Sequence, residues 1–320
     1  MSQIRIKTPS RLHFGLLGLG KPARRQYGGL GLMIEDPGLE ISVEPADRWE
    51  AKGPQSNRAL TIAQSVAEHL ARRGRILDPL RIQILQSPEP HVGLGVGTQL
   101  SMAIAQALAS HAGMMELTPR QLAELTGRGN RSGIGIHGFA EGGLIVDAGR
   151  RGDEIPTRVL RAPFPQDWFI LIVQPESHAG LHGHAEIEAF HLLPPISEPI
   201  TEQLSGLILL GLIPAVLEKD LQEFGRTLEQ VQETVGRCFE PVQGGAYSSS
   251  FHRTVVESMR GNGLHGVGQS SWGPTLYGFS SAALEKREQI RDRLRKHLSL
   301  RDERIRWTHA SNHGAKLIVQ

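Results

Sequence analysis

The run Glu89-Pro-His-Val-Gly-Leu-Gly-Val-Gly-Thr-Gln99 constrains this chain more than any other stretch, because glycines alternate at 93, 95 and 97 and then give way at once to an apolar helical pattern. Glycine reaches backbone conformations closed to other residues, so such a loop can turn several N–H groups toward one point. The positive end of the following helix dipole adds to the field there. An anion, and phosphate above all, suits that arrangement. Taken alone, the same run also reads as a flexible turn between a strand and a helix.

The surroundings of the loop predict an α/β (α+β) fold. Ile4 to Lys7 and Leu39 to Glu44 alternate like half-buried strands, and the stretch between them is rich in glycine and basic residues, including Arg24 and Arg25. Helical spacing covers 57–73, and Arg81 to Leu85 alternates as a strand. A helix is expected from Thr98 to just before Gly113. Thr118, Pro119 and Gln121 supply a cap, a first-turn proline and a capping-box partner for a helix over 119–126, stopped by Gly127. Past a glycine-rich segment come strands at Gly143 to Val146 and Trp168 to Val173, a His-rich loop, helical patterns over 200–235, a charged helix from Ala282 to Leu298, and a strand at Lys316 to Val319.

A chain of 320 residues can bury two cores of roughly 150 residues each, which gives lobes at 1–165 and 166–320. The single cysteine, Cys238, excludes an internal disulfide and reads as structural. The amino-terminal residues lack a signal-peptide pattern, so a cytoplasmic protein is expected. The longest apolar run, Leu207 to Leu217, is interrupted by Pro214 and is too short for a membrane span. With a net charge of +2, and neither a basic run nor aromatics interleaved with arginines, nucleic acid is not an expected partner.

Three motifs in order carry a resemblance: Pro9-Ser-Arg-Leu-His-Phe-Gly with Gly28-Gly-Leu-Gly, the loop at 90–99, and Gly268-Gln-Ser-Ser-Trp-Gly-Pro. The chain resembles the GHMP kinase superfamily, whose phosphate loop reads proline, three residues, Gly-Leu-Gly-Ser-Ser. Here only two residues separate Pro90 from Gly93, and Val96 and Gly97 replace the serines. Where the kinases carry Ser-Gly-Ile-Asp, with the aspartate as base, this chain has Ser132-Gly-Ile-Gly135. Within the superfamily it resembles the β-ribofuranosylaminobenzene 5′-phosphate synthases nearly end to end, through those motifs and through Gly142-Gly-Leu-Ile-Val-Asp-Ala-Gly and Gly180-Leu-His-Gly-His-Ala-Glu. Val96 departs from the serine usual in that family.

The resemblance implies a ribosomal-protein-S5-domain-2-like lobe followed by a ferredoxin-like lobe, with the site between them. It implies that phosphoribosyl pyrophosphate and 4-aminobenzoate are joined with loss of CO2 and pyrophosphate, on the route to a methanopterin-type cofactor. A homodimer is expected, with magnesium and without an organic cofactor. An ATP-dependent small-molecule kinase and an inactive phosphosugar- or nucleotide-binding protein are the rival readings. For phosphate and substrate the candidates are Arg11, Gly93, Gly95, Gly97, Thr98, Gln99, Arg131, Ser270 and Ser271; for the chemistry, His13, His182, His184 and Glu186; for magnesium, Asp147. Glu186 is a second candidate for the metal, and Trp272 reads either as core or as an aromatic platform. His182 and His184 also have the spacing of a zinc pair, but no third ligand stands at a familiar distance.

Overall fold

The computed structural model describes residues 3–20, 25–175, 188–189, 192–245, 247 and 249–320. Two sheets carry the architecture. The first is built on β1 (Ile4–Leu16) and β2 (Gly29–Pro45), an antiparallel pair far longer than the alternation at either end suggests. Register shifts at Thr8/Ser10 and His13/Gly15 break the period-two pattern, which is why the continuation was not legible. The basic, glycine-rich stretch thereby shrinks to the residues between Leu16 and Gly29. β3 (Glu50–Lys52), β4 (Leu80–Gln86), β5 (Leu144–Asp147) and β6 (Arg158–Ala162) extend the sheet.

Helices α1 (Ser56–Arg72), α2 (Val96–His111) and α4 (Ile134–Glu141) pack on this sheet, and α3 (Pro119–Thr126) packs on those helices. α2 begins two residues before Thr98, capped by Gly95 at φ 71, a left-handed entry that glycine makes inexpensive. The expected capping box of α3 forms: Thr118 Oγ1 accepts from Gln121 N, and Gln121 Oε1 accepts from Thr118 N at 2.8 Å. α4 lies within the segment read from sequence only as glycine-rich. Its glycines serve close approach: a methyl group at Gly138 would stand 2.2 Å from Met33 Sδ.

The second sheet runs β10 (Ile305–His309), β7 (Phe169–Val173), β9 (Leu276–Ser280), β8 (His265–Gln269), all antiparallel. Its helices are α5 (Glu198–Leu207), α6 (Ile213–Glu218), α7 (Leu221–Gln243), α8 (Ser250–Gly261) and α9 (Leu284–His297). A π-helical turn at Ile208–Leu212 joins α5 to α6, so Glu198–Glu218 is one helical stretch of 21 residues containing an 18-residue window of mean hydropathy 1.7, long and apolar enough to cross a membrane by length and composition. The apolar run alone misjudged that length, because the helix recruits both flanks. Leu204, Ile208, Leu212, Ala215 and Val216 are buried in the fold, while Leu209, Leu210 and Leu217 are exposed.

The largest hydrophobic cluster ignores the division into halves: it joins Leu12 and Phe14 of β1 to Ile170 and Ile172 of β7, Phe279 of β9, and Phe224, Leu228 and Val235 of α7. The final strand, β11 (Lys316–Val319), pairs not with the second sheet but with β1, Ile4 opposite Val319. The carboxyl-terminal part of the chain thus completes the first sheet. Cys238 is half-buried on α7, and desolvation pushes its thiol pKa up, as suits a packing residue.

Candidate active site

A cleft of about 260 Å³ opens where β1, the start of α2, the α3–α4 loop, α7 and the β8–β9 turn meet. The three sequence motifs converge on its floor through Ser270. This residue is fully buried; its hydroxyl donates to Gly93 O at 2.7 Å and accepts from His13 N at 3.0 Å. Ser271 N donates to His13 O at 3.1 Å, and Thr275 Oγ1 donates to Val92 O at 2.5 Å. Gly93, at φ 86, lies so close to this turn that a methyl group on it would stand 2.5 Å from Ser270 O. Ser270 therefore braces the loop with its one hydroxyl hydrogen, whereas Ser271 lines the cleft. Gln99 is also a brace: fully buried, it donates through Nε2 to Gly135 O at 2.9 Å and ties α2 to α4.

The glycines of the loop do not line the cleft directly, because arginines lie over them. A methyl group on Gly95 would meet Arg11 Cγ at 2.6 Å, and one on Gly97 would meet Arg58 Nη2 at 2.3 Å. Arg11 Nη1 donates to Gly93 O at 3.2 Å. Arg128 joins them, its Nε donating to Ser101 Oγ at 3.1 Å, and Arg131 lines the same wall. Among the described residues neither Arg58 nor Arg128 forms an ion pair, and no carboxylate lines the cleft. Burial pulls the pKa of Arg128 below the usual guanidinium range, and the charges of Arg58 and Arg131 pull it further; burial does the same to Arg58. Like charges gathered around a helix start leave a field suited to a polyanion.

His13 is buried against this group. Desolvation first, then the charges of Arg11 and Arg131, lower its imidazole well below 6.5, so it is neutral at physiological pH. Gly29 leaves room beside it: a methyl group there would stand 3.1 Å from His13 Nε2 and 3.0 Å from Ser132 Oγ.

Asp147 is fully buried, and its oxygens accept from Ser132 Oγ at 3.0 Å, Gly133 N at 2.9 Å and Gly149 N at 2.8 Å. Burial outweighs these donors and raises its pKa to about 6. Oδ2 thus holds the start of α4, and Oδ1 the backbone just after β5 at Gly149. The described residues contain no group of three or more His, Cys, Asp or Glu side chains that could hold a metal ion. His182, His184, Glu186 and Arg24 lie outside the described residues. Thr98, Arg11, His13, Arg131 and Ser271 are brought together as the sequence suggested.

Arg58 and Arg128 were missed. Arg128 had a signal, three residues before Arg131 in a glycine-flanked stretch, but Arg58 reads as an ordinary exposed helix position. Trp272 proves to be both core and wall: it is 7% exposed, lines the cleft, and packs edge-to-face on Phe239 with ring centroids 5.3 Å apart.

Comparison with known proteins matches this geometry. Residues 60–144 match the GHMP kinases N terminal domain and residues 212–300 the GHMP kinases C terminal domain. The β-ribofuranosylphenol 5′-phosphate synthase of Archaeoglobus fulgidus is 34% identical over 295 residues, covering 87% of this chain and 88% of that protein. The same-named protein of Methanocaldococcus jannaschii is 30% identical over 317 residues, covering 90% and 93%. Among solved structures, homoserine kinase from Cytophaga hutchinsonii superimposes with TM-score 0.69 at 18% identity over 99% of this chain and 98% of that one. Phosphomevalonate kinase from Streptococcus pneumoniae gives TM-score 0.70 at 13% identity over 97% and 100%. The kinases speak for the fold alone, and the closer sequence relatives for the branch. The chain belongs to the β-ribofuranosylphenol 5′-phosphate synthase family, built on the GHMP kinase fold.

Proposed function

We propose that this protein joins the ribose C1 of phosphoribosyl pyrophosphate to a benzoate bearing a para electron donor, with release of diphosphate and CO2. The observation that carries the reading is the cluster of Arg11, Arg58, Arg128 and Arg131 around the start of α2, with no carboxylate in the described cleft wall. A leaving diphosphate gains charge as its bond to C1 breaks, and preorganised cations and helix N–H groups stabilise that charge where it develops. The ring carbon carrying the carboxylate then bonds to C1, and the para lone pair holds the positive charge left on the ring. Loss of CO2 returns the electron pair to the ring and restores aromaticity. His13, held neutral by burial, adds no further positive charge beside the ribosyl carbon, which itself becomes cationic.

Magnesium would accompany the diphosphate as a shield for its charge. Asp147 is engaged by three donors, and no carboxylate of the described residues lines the cleft. The kinase alternative needs a base, and the kinase aspartate position is Gly135, where a methyl group would meet Thr98 Cγ2 at 3.2 Å. The relatives' name specifies a phenol, which places a hydroxyl where the aminobenzene product carries an amino group. Both arenes therefore enter the test. Protein is incubated with magnesium, phosphoribosyl pyrophosphate and carboxyl-labelled 4-aminobenzoate or 4-hydroxybenzoate, beside an ATP-consumption assay. Labelled CO2 that depends on both substrates is the expected outcome; ATP turnover without CO2 would establish the kinase instead.

A further inference from the structure

The cleft has two unlike sides. Apart from the arginines, α7 lines the cleft with one face, Gln232, Val235 and Gly236, Phe239 and Gln243, each one turn beyond the last. Phe239 and Trp272 form a perpendicular aromatic corner, both nearly buried, so what they expose is the cleft wall itself. This wall is held rigid. Gln232 donates to Phe14 O and accepts from Gln269 N at 3.0 Å, and Gly15 lets β1 approach until a methyl group on it would stand 2.7 Å from Val235 Cγ2. Gln243 donates through Nε2 to Gly245 O at 2.7 Å, which leaves its amide oxygen as the acceptor it offers a ligand.

We propose that the α7 side is the arene subsite, with the ring against Phe239 and Trp272 and the para substituent donating a hydrogen bond to Gln243 Oε1. The proposal rests on the phosphoribosyl-transfer reading. The reacting ring carbon must reach the ribose C1 on the arginine side, so the para substituent points across the ring toward α7. An amino and a hydroxyl group are both hydrogen-bond donors, and an amide oxygen complements either. Accepting that hydrogen bond also pushes electron density from the substituent into the ring, which favours attack at the para carbon. A cation at this place would withdraw it.

The test is steady-state kinetics of CO2 release for wild type, Phe239→Ala and Gln243→Leu with each arene. Gln243→Leu is expected to raise the arene KM about tenfold, as for loss of one hydrogen bond, with the donor KM unchanged. 4-Methylbenzoate, which cannot donate, is the control: as a competitor of the arene it should bind wild type and Gln243→Leu alike. Phe239→Ala is expected to weaken all three arenes, and Gln243→Leu, at the half-exposed end of α7, keeps the test open should that variant unfold. An arene KM unmoved by Gln243→Leu, or a donor KM that moves with it, would overturn the subsite while leaving phosphoribosyl transfer standing. A wild-type protein that releases no CO2 from either arene would remove the reading beneath it as well.

Discussion

Two glycine-rich helix starts meet at this site, and they are treated in opposite ways. α4, opening after Gly133, receives an internal anion: Asp147 accepts from Gly133 N and from Ser132 Oγ. α2, opening after Gly95, has guanidinium groups beside it among the described residues, Arg11 over Gly95 and Arg58 over Gly97. A helix start attracts negative charge in both cases. The difference is that at α4 the described chain supplies a carboxylate, whereas at α2 it supplies positive charge.

The comparison can be broken most completely by giving α2 what α4 already has. Gly95→Asp places a carboxylate beside Arg11 and the helix start, and turnover should fall by on the order of a thousandfold while circular dichroism still shows a folded chain, the left-handed entry costing the variant about 1 kcal/mol of stability. Unchanged turnover would take the α2 start out of the site. The reverse operation is Asp147→Asn, which turns an amide NH2 toward a backbone N–H and should cost about 2 kcal/mol in urea unfolding at pH 7.

That cost should depend on pH in a definite direction. The folded-state pKa of Asp147, about 6, lies above its ordinary 3.8, so the folded protein holds the proton more tightly than the unfolded chain. Its contribution to stability is full below about pH 4 and is lost as pH rises to about 6, amounting to about 3 kcal/mol across that window. The gap between wild type and Asp147→Asn should accordingly narrow from pH 4 to pH 6.5; a gap that widens would contradict the burial argument.

A smaller effect sharpens the cationic side. Arg128→Ala should raise the donor KM about tenfold without lowering the melting temperature, since it removes a charge that repels Arg58 and Arg131. A lowered melting temperature with unchanged KM would make Arg128 a structural residue. Smallest is Ser132→Ala, which removes the hydroxyl donor to Asp147 and should cost about 1 kcal/mol of stability.

What the sequence disclosed follows the range of the interactions involved. α3 was legible because Thr118, Pro119, Gln121 and Gly127 all act within a few residues of one another. The loop at 93–97 was legible for the same reason. α4 was not, since its glycines disfavour a helix locally and are required by contacts with Met33 and Thr98 elsewhere in the chain. Arg58 and Arg128 meet only when α1 and the α3–α4 loop pack on α2, a juxtaposition that no spacing encodes. Ser270 was read as a ligand contact, yet its hydroxyl is taken by Gly93 O, a partner 177 positions away.

The pairing of β11 with β1 also orders events in time. β1 carries Arg11 and His13, and its edge at Ile4–Lys7 is covered only by Lys316–Val319. During synthesis a nascent chain that has not reached Lys316 exposes that edge to any neighbouring strand, so residues through Val319 must be made before the strand bearing the site is sealed. Truncations near residue 315 should therefore show themselves as aggregation during translation rather than as a weakened enzyme.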